Sequence, residues 1–427
     1  MTRYVHIVII SILYSFLFFK LSVAQKRNFI FESLSVEEGL SQSSVLSICQ
    51  DSRGFLWIGT EDGLNKYDGY KFTVYKNIPN DSTSLGDNRV NAIIEDRIGN
   101  LWIGTSGGGL NMYDRKSGKF RRYKNVPSDP TSLSENVVLS ICEDSSGILW
   151  VGTMGGGLNK FNSKTELFSN FLHSTNDNNS ISANIVYTIL EDSYHILWIG
   201  TWGGLNRLIT LKNKFIRYKH DPSDLNSLSD NKVFSLFEDK SKTLWVGTWG
   251  GGLNMFNRDD ENFTRFYDHT KNLNSNDKVT TAMFEDPSGD FWIGTFGEGI
   301  FLLDSFRNYV EKYSNNPNNT HSLSNNRIYR IVGGRISDII WVGTVGGGLN
   351  KIDRRKGKFN HYTHHPNDPK SLSDKSVFAF CEASSGLVWI GTYGGGLNCF
   401  DRKSDQFRHY KNIPNDIRSL SDNGVSS

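Results

Sequence analysis

Several things that define other protein classes are scarce in this chain. Its formal charge is nearly balanced, +2 from 47 Lys and Arg against 45 Asp and Glu, so it lacks the strongly basic face that nucleic acid binding requires. Long hydrophobic runs are missing apart from one, Val5 to Phe19. That run falls short of the roughly 20 residues that span a bilayer, and Lys20 interrupts it. Arg3 ahead of it, and Ser22 and Ala24 before Gln25, read as a signal peptide over residues 1–24, with the exported chain running from 25 to 427. Cysteine is limited to four residues. Cys49, Cys142 and Cys381 hold the same place in three separate repeat units, and a strand intervenes between Cys381 and Cys399. Disulfides are thereby excluded, and four unpaired thiols acting as small apolar residues are expected. Proline is low at 9 residues while glycine is high at 41. The glycine-rich "GGGLN" runs lack the Lys-Ser/Thr and the following helix of a phosphate-binding loop, and no Ser-His-Asp arrangement is recognisable.

What the chain does have is a repeat. The core W-[IV]-G-T occurs eight times, at Trp57, Trp102, Trp150, Trp198, Trp245, Trp292, Trp341 and Trp389, spaced 45 to 49 residues apart. This is the period of a propeller blade. Within a unit, "NVVLSICED" (Asn136 to Asp144) alternates with a period of two and reads as a first strand. "GILWVGT", "GLNKFN" and phrases such as "KFRRY" (Lys119 to Tyr123) follow as second, third and fourth strands. Four short strands joined by Gly, Asp, Asn and Ser turns leave no room for helices. The fold class is therefore all-β, a β-propeller of four-stranded blades in eight repeat copies. A single body of this length is consistent with repeats that mainly contact their neighbours.

A propeller must cover its strand edges, commonly by completing one blade with strands from both termini. "NFIFESL" (Asn28 to Leu34) precedes the first repeat and resembles a fourth strand, which makes it the candidate closing strand. At the other end, "NDIRSLSDNGVSS" stops where a ninth unit would begin. That is expected of a fragment of a longer protein.

The phrases "SLSENVVLSICEDSSGILWVGTMGGGLNKFN" (Ser132 to Asn162) and "EEGLSQSSVLSICQDSRGFLWIGTEDGLNKYDGYKF" (Glu37 to Phe72) resemble the two-component regulator propeller repeats. The resemblance covers essentially the whole mature chain. It implies the periplasmic sensor region of a Bacteroidetes hybrid two-component system, in which two seven-bladed propellers precede a β-sandwich, a membrane helix, a histidine kinase, a receiver and a DNA-binding domain. On that basis the eight copies form either one eight-bladed ring or seven blades plus the first unit of a second propeller. The resemblance also implies a homodimer in the full receptor, contact with the membrane only through a missing C-terminal part, and phosphorelay signalling by a kinase outside this chain.

Two groups of residues have a catalytic or metal-binding composition. Glu95-Asp96, Glu143-Asp144, Glu191-Asp192, Glu238-Asp239 and Glu285-Asp286 have the composition of acid/base dyads. A pair recurring at one turn in five units is instead a property of the blade, and Asp before a Gly-containing turn fits a side-chain hydrogen bond. His361, His364 and His365 form a loop triplet without the further ligands a metal site needs. No cofactor, metal or catalytic residue is expected.

Recognition is expected where the repeats differ. The residue after the Thr of W-[IV]-G-T is Glu61, Ser106, Met154, Trp202, Trp249, Phe296, Val345 or Tyr393. A second variable position just before the first strand reads Ser44, Arg89, Val137, Ile185, Lys232, Lys278, Arg327, Ser376. If the first strand is innermost, both positions surround one mouth of the ring. Trp202, Trp249, Phe296 and Tyr393 would stack on sugar rings, and Arg89, Lys232, Lys278 and Arg327 would bind hydroxyl or carboxylate oxygens. The expected ligand is an oligosaccharide, an acidic one fitting best, and the expected role is that of a non-enzymatic periplasmic sensor. The competing readings are a secreted propeller lyase or hydrolase acting on polysaccharide, and a protein-binding scaffold.

Overall fold

The computed structural model describes residues 29–266, 279–334, 338–354, 362–366, 368–402, 404 and 406–426. It contains eight four-stranded antiparallel sheets and, among the described residues, one 3-10 turn at Thr210–Lys212 as its helical content. The chain divides into two units, Met1–Lys356 and Gly357–Ser427. The first holds seven sheets and the second holds the eighth.

In the first unit each blade is a meander. Blade 1, for example, runs through Val45–Gln50, Leu56–Thr60, Gly63–Tyr67 and Phe72–Tyr75. The first strands of successive blades contact one another around the whole circuit, from Val45–Gln50 of blade 1 to Ile328–Gly333 of blade 7 and back to blade 1. Residues from all seven first strands line one central cavity, so these strands are innermost. The ring therefore closes with seven blades.

The seam is made by the N-terminus. Phe31–Leu34 lies antiparallel to Leu349–Asp353, with Phe31 opposite Ile352 and Leu34 opposite Leu349, and supplies the fourth strand of blade 7. The expectation of a closing strand is met. Closure also brings Trp341 and Leu349 of blade 7 against Val45, Ile48, Leu56 and Ile58 of blade 1.

The repeated motif explains the ring because its Trp and Gly face neighbouring blades, while its buried Thr ties down its own turn, as Thr60 does by donating to the Gly63 carbonyl at 3.0 Å. Every second strand of the ring is buried along the L-W-[IV]-G-T core or its equivalent. The repeat Trp points to the next blade: Trp57 packs with Ile93, Leu101 and Ile103 of blade 2, and Trp292 with Ile340 and Val342 of blade 7. The Gly admits the adjacent inner strand, since a Cβ on Gly59 would lie 2.6 Å from Val90 Cγ1 and 2.7 Å from the Val90 carbonyl. In "GLN" the buried Asn65 accepts a bond from the Ser41 amide at 2.9 Å and donates to Ser41 Oγ at 2.8 Å, pinning the preceding loop to the third strand. Asn206 and Ser182 repeat the arrangement in blade 4.

The Glu-Asp pairs are interblade staples. Asp51, the Asp of blade 1, accepts the Trp57 indole N–H at 2.9 Å and turn amides from Arg53 and Phe55. Arg115 of blade 2 reaches back to Asp51 at 2.6 Å and to Glu95 of its own blade at 2.9 Å. Glu95 in turn accepts from the Ser52 amide and hydroxyl of blade 1. Arg258 joins Asp192 and Glu238, and Arg307 joins Asp239 and Glu285, in the same way. These carboxylates are engaged in holding blades together, which accounts for the pair without a dyad.

The four cysteines are free thiols. Burial pushes the Cys142 thiol up to about 11, against a smaller opposing backbone bond. His364 spends Nδ1 on the Leu372 carbonyl at 2.8 Å, as His173 and His220 do with Ile181 and Leu228 in their loops. His361 lies outside the described residues.

Candidate ligand site at the mouth and channel

The two variable positions meet on one end of the ring, and the backbone fixes them there. In blades 2 to 7 the turn residue donates its amide to the carbonyl of the residue before the inner strand: Ser106 to Arg89, Met154 to Val137, Trp202 to Ile185, Trp249 to Lys232, Phe296 to Val279 and Val345 to Arg327, at 2.9 to 3.1 Å. Turn amides also reach the interblade connections, as Gly109 does to Asn136. Turns and connections thus share one mouth.

Side chains then pair across neighbouring blades. Lys232 of blade 5 sits over the Trp202 ring of blade 4, 4.8 Å from its centroid. Arg327 of blade 7 sits over Phe296 of blade 6 at 5.7 Å. Such contacts hold a cation over an aromatic face while both remain open to a ligand. Trp202 is 38% exposed, and Trp249 and Phe296 are partly buried.

The structure adds residues that the two-position comparison missed. One residue into each inner strand the pairing register slips, so Leu46, Asn91, Leu139, Tyr187, Phe234, Thr281 and Tyr329 are bulge residues without a partner opposite. A bulge re-aims its side chain, and here it links mouth to channel. Tyr187 lies 5.5 Å from Trp202 and 5.0 Å from Phe234. Phe234 lies 5.1 Å from Trp249, which lies 5.3 Å from Phe296. Phe234 also meets Tyr329, two blades away, edge-on at 5.7 Å. Five aromatics on blades 4, 5 and 6 form one continuous run, and Tyr329 of blade 7 joins it at Phe234. The signal was present in the sequence, because this position varies from blade to blade as widely as the two that were compared.

Below the aromatics is the central cavity, about 240 Å³, lined by polar and small residues including Ser47, Asn91, Ser140, Thr188, Ser235 and Arg330. It is smaller than the ~300–1,000 Å³ of a typical small-molecule site. Its volume suits a single end group better than a chain of sugars. Burial raises the Tyr187 phenol above its ordinary value of 10.0, and the Tyr329 phenol adds to the shift.

Two of the expected site residues are placed differently, and a third is not among the described residues. Arg89 is paired with Glu61 at 2.8 Å, so the variable cation of blade 2 is neutralised by the variable turn residue of blade 1. Lys278 lies outside the described residues, and the pairing of Thr280 with Thr295 makes Val279, not Lys278, the equivalent of Lys232. Tyr393 belongs to the eighth sheet, where it packs on Phe378 at 5.6 Å, and is not carried by a blade of the ring. The structure brings together Trp202, Trp249, Phe296, Lys232 and Arg327. Among the described residues no cluster of three His, Cys, Asp or Glu is arranged to hold a metal.

Comparison with known proteins gives this geometry a family. The two component regulator propeller model matches residues 39–62, 84–107, 132–155, 180–203, 227–250, 272–297 and 371–394. It passes over blade 7, whose inner strand ends in Gly333-Gly334 instead of Glu-Asp. A 74-residue stretch, 17% of the chain, is 57% identical to Histidine kinase P4 of Formosa agariphila and covers 5% of that protein. A crystal structure described as the extracellular domain of a hybrid two component system from B. thetaiotaomicron is 32% identical, with a TM-score of 0.69 over 90% of this chain and 49% of the other. Virginiamycin B lyase from Staphylococcus aureus, 15% identical with a TM-score of 0.55 over 76% of this chain and 99% of its own, shares the fold alone. The chain thus spans about half the length of the two-component structure it resembles and a small part of the kinase. The chain is therefore built of two-component regulator propeller repeats, seven of its eight units matching that family's model.

Proposed function

We propose that the seven-bladed ring is the extracytoplasmic sensor of a hybrid two-component system and binds a polysaccharide-derived oligosaccharide at its mouth. The observation that carries this is the continuous run Trp202, Tyr187, Phe234, Trp249 and Phe296, with Lys232 and Arg327 stacked over its ends. Flat faces of this kind accept sugar rings, and cations beside them donate to hydroxyl or carboxylate oxygens. On this reading residues 1–24 direct export, and the bound ring biases a dimer that controls a kinase beyond the membrane. A ligand does so only by binding the two receptor states with different affinity.

The eighth sheet is, on the same reading, the first blade of a second ring. Its inner strand Val377–Glu382 leaves Phe378 59% and Phe380 81% exposed, as a blade without its neighbour would. Tyr362, at the end of "KFNHY", packs on Phe400 and Phe407. A strand phrase followed by a complete sheet is also how the first ring begins.

The test uses the double variant Trp202→Ala with Trp249→Ala. Binding to oligosaccharides selected on a glycan array should fall at least tenfold, with the thermal midpoint unchanged. Undiminished affinity would remove the mouth as the site. A product assay on the bound glycan separates the readings further: stoichiometric binding without turnover fits the sensor, and turnover fits a propeller lyase or hydrolase.

A further inference from the structure

One inner-strand position breaks the rule followed by the other blades. Opposite the Gly of each W-[IV]-G-T stands Ser47, Ala92, Ser140, Thr188, Ser235 or Ala282 in blades 1 to 6, and Arg330 in blade 7. The small residues have architectural work. Ser47, Ser140 and Ser235 donate to carbonyls of the next inner strand, at Val90, Val186 and Thr280. A side chain as long as arginine serves none of this, and it projects among the residues that line the central cavity.

The guanidinium has little to satisfy it. Nη1 donates to its neighbour's carbonyl, Tyr329 O, at 3.0 Å, and the group stacks over the Tyr329 ring at 5.1 Å. Among the described residues it makes no ion pair, whereas Arg115, Arg258, Arg307 and Arg354 each hold a carboxylate. The residue is partly exposed at the wall of the channel, and desolvation there lowers its pKa. An unpaired cation inside a protein is costly, and its fork of N–H donors matches an oxyanion in a bidentate way. The cavity walls also carry Ser47, Asn91, Ser140, Thr188 and Ser235; the hydroxyl protons of the three serines are spent on carbonyls, which leaves their oxygens as acceptors for the hydroxyls of a polar end group.

We propose that Arg330 is an anion seat inside the channel, which takes one carboxylate or sulfate carried by the terminal sugar of the ligand while the remaining sugars lie on the aromatic run at the mouth. The proposal rests on the reading of the mouth as the ligand site and adds to it the charge and the orientation of what binds. It also gives blade 7 a role that its departure from the repeat pattern calls for.

The test compares the full chain with Arg330→Ser, the residue that blades 1, 3 and 5 use. The probes are glucuronate, a 6-sulfated N-acetylglucosamine and neutral glucose, followed by calorimetry or NMR titration at constant ionic strength. The expected result is binding of at least one anionic probe and none of glucose. Arg330→Ser should then lose that binding at least tenfold while its thermal midpoint stays equal to, or above, that of the unaltered chain. A preference for glucuronate identifies a carboxylate ligand, and a preference for the sulfated sugar a sulfate ester. The Trp202→Ala, Trp249→Ala variant should keep its monosaccharide anion binding, so a failed mouth leaves the seat measurable by itself. Equal anion binding by Arg330→Ser, no anion binding by the unaltered chain, or a fall in the variant's thermal midpoint without ligand would each overturn the proposal.

Discussion

Asp51 shows how one side chain can join two blades. Burial alone would raise its carboxyl, but hydrogen bonds from Arg115 and Trp57, with the Arg115 charge, outweigh that and hold it below its ordinary value of 3.8. Asp239 is held down in the same way by Arg307 and Trp245. A folded value below the unfolded one means that the stabilisation is complete above about pH 4 and is lost as pH falls through the folded value. The ring should accordingly melt at a lower temperature at pH 3 than at pH 7, and Asp51→Asn should show a smaller difference. An equal pH dependence in that variant would mean that Asp51 is not one of the groups responsible. Arg115→Ala leaves Asp51 and Glu95 buried without their cation, with side chains 0% and 3% exposed, and should cost about 3–5 kcal/mol in urea unfolding. The recurrence of Glu-Asp in five units was enough to read the pair as architectural. Its partner was not legible, because the Arg belongs to the next blade and follows the third strand at a position that repeats only in some units.

At the scale of the strand, the pattern of four per blade could be read from periodicity because nearly every inner, second and third strand alternates or is wholly apolar. The number of blades in the ring could not. Two phrases, "NFIFESL" and "KFNHY", fit the same outer position of blade 7, and their sequences do not rank them. In the structure Phe31–Leu34 lies beside Leu349–Asp353, and Phe31 is 2% exposed against Tyr313 at 5.6 Å. Phe31→Ala should therefore destabilise the ring by about 3–5 kcal/mol. A melting profile unchanged by this substitution would show that the seam is held elsewhere. The bulge at the start of each inner strand explains two further outcomes at once. It hid Tyr187, Phe234 and Tyr329, whose aim depends on a register slip. The candidate Lys278 was placed by the nearest apolar residue, Val279, whereas pairing makes Val279 itself the mouth position.

Across the whole molecule, shared and private residues have separate tasks. Ten tryptophans divide accordingly: eight belong to the repeated core, and the remaining two, Trp202 and Trp249, face the mouth. Comparing units within one chain was therefore enough to single out Trp202, Trp249 and Phe296 at the mouth, but not Tyr187, Phe234 and Tyr329 beside them. It was less successful for the charges, because Arg89 is cancelled by Glu61, which belongs to a neighbouring blade and is invisible to a column-by-column comparison. The proposed site is lopsided, carried by blades 4 to 7, and on that proposal a ring of near-identical sheets would act as a receptor through what those four blades do not share. The most direct measurement is a crystal structure of the full chain with an acidic oligosaccharide chosen by glycan array. The account predicts sugar rings against Trp202, Trp249 and Phe296, with the terminal acidic group directed at Arg330. Sugar bound on the opposite face, beside the Arg115, Arg258 and Arg307 staples, with the mouth empty, would contradict it.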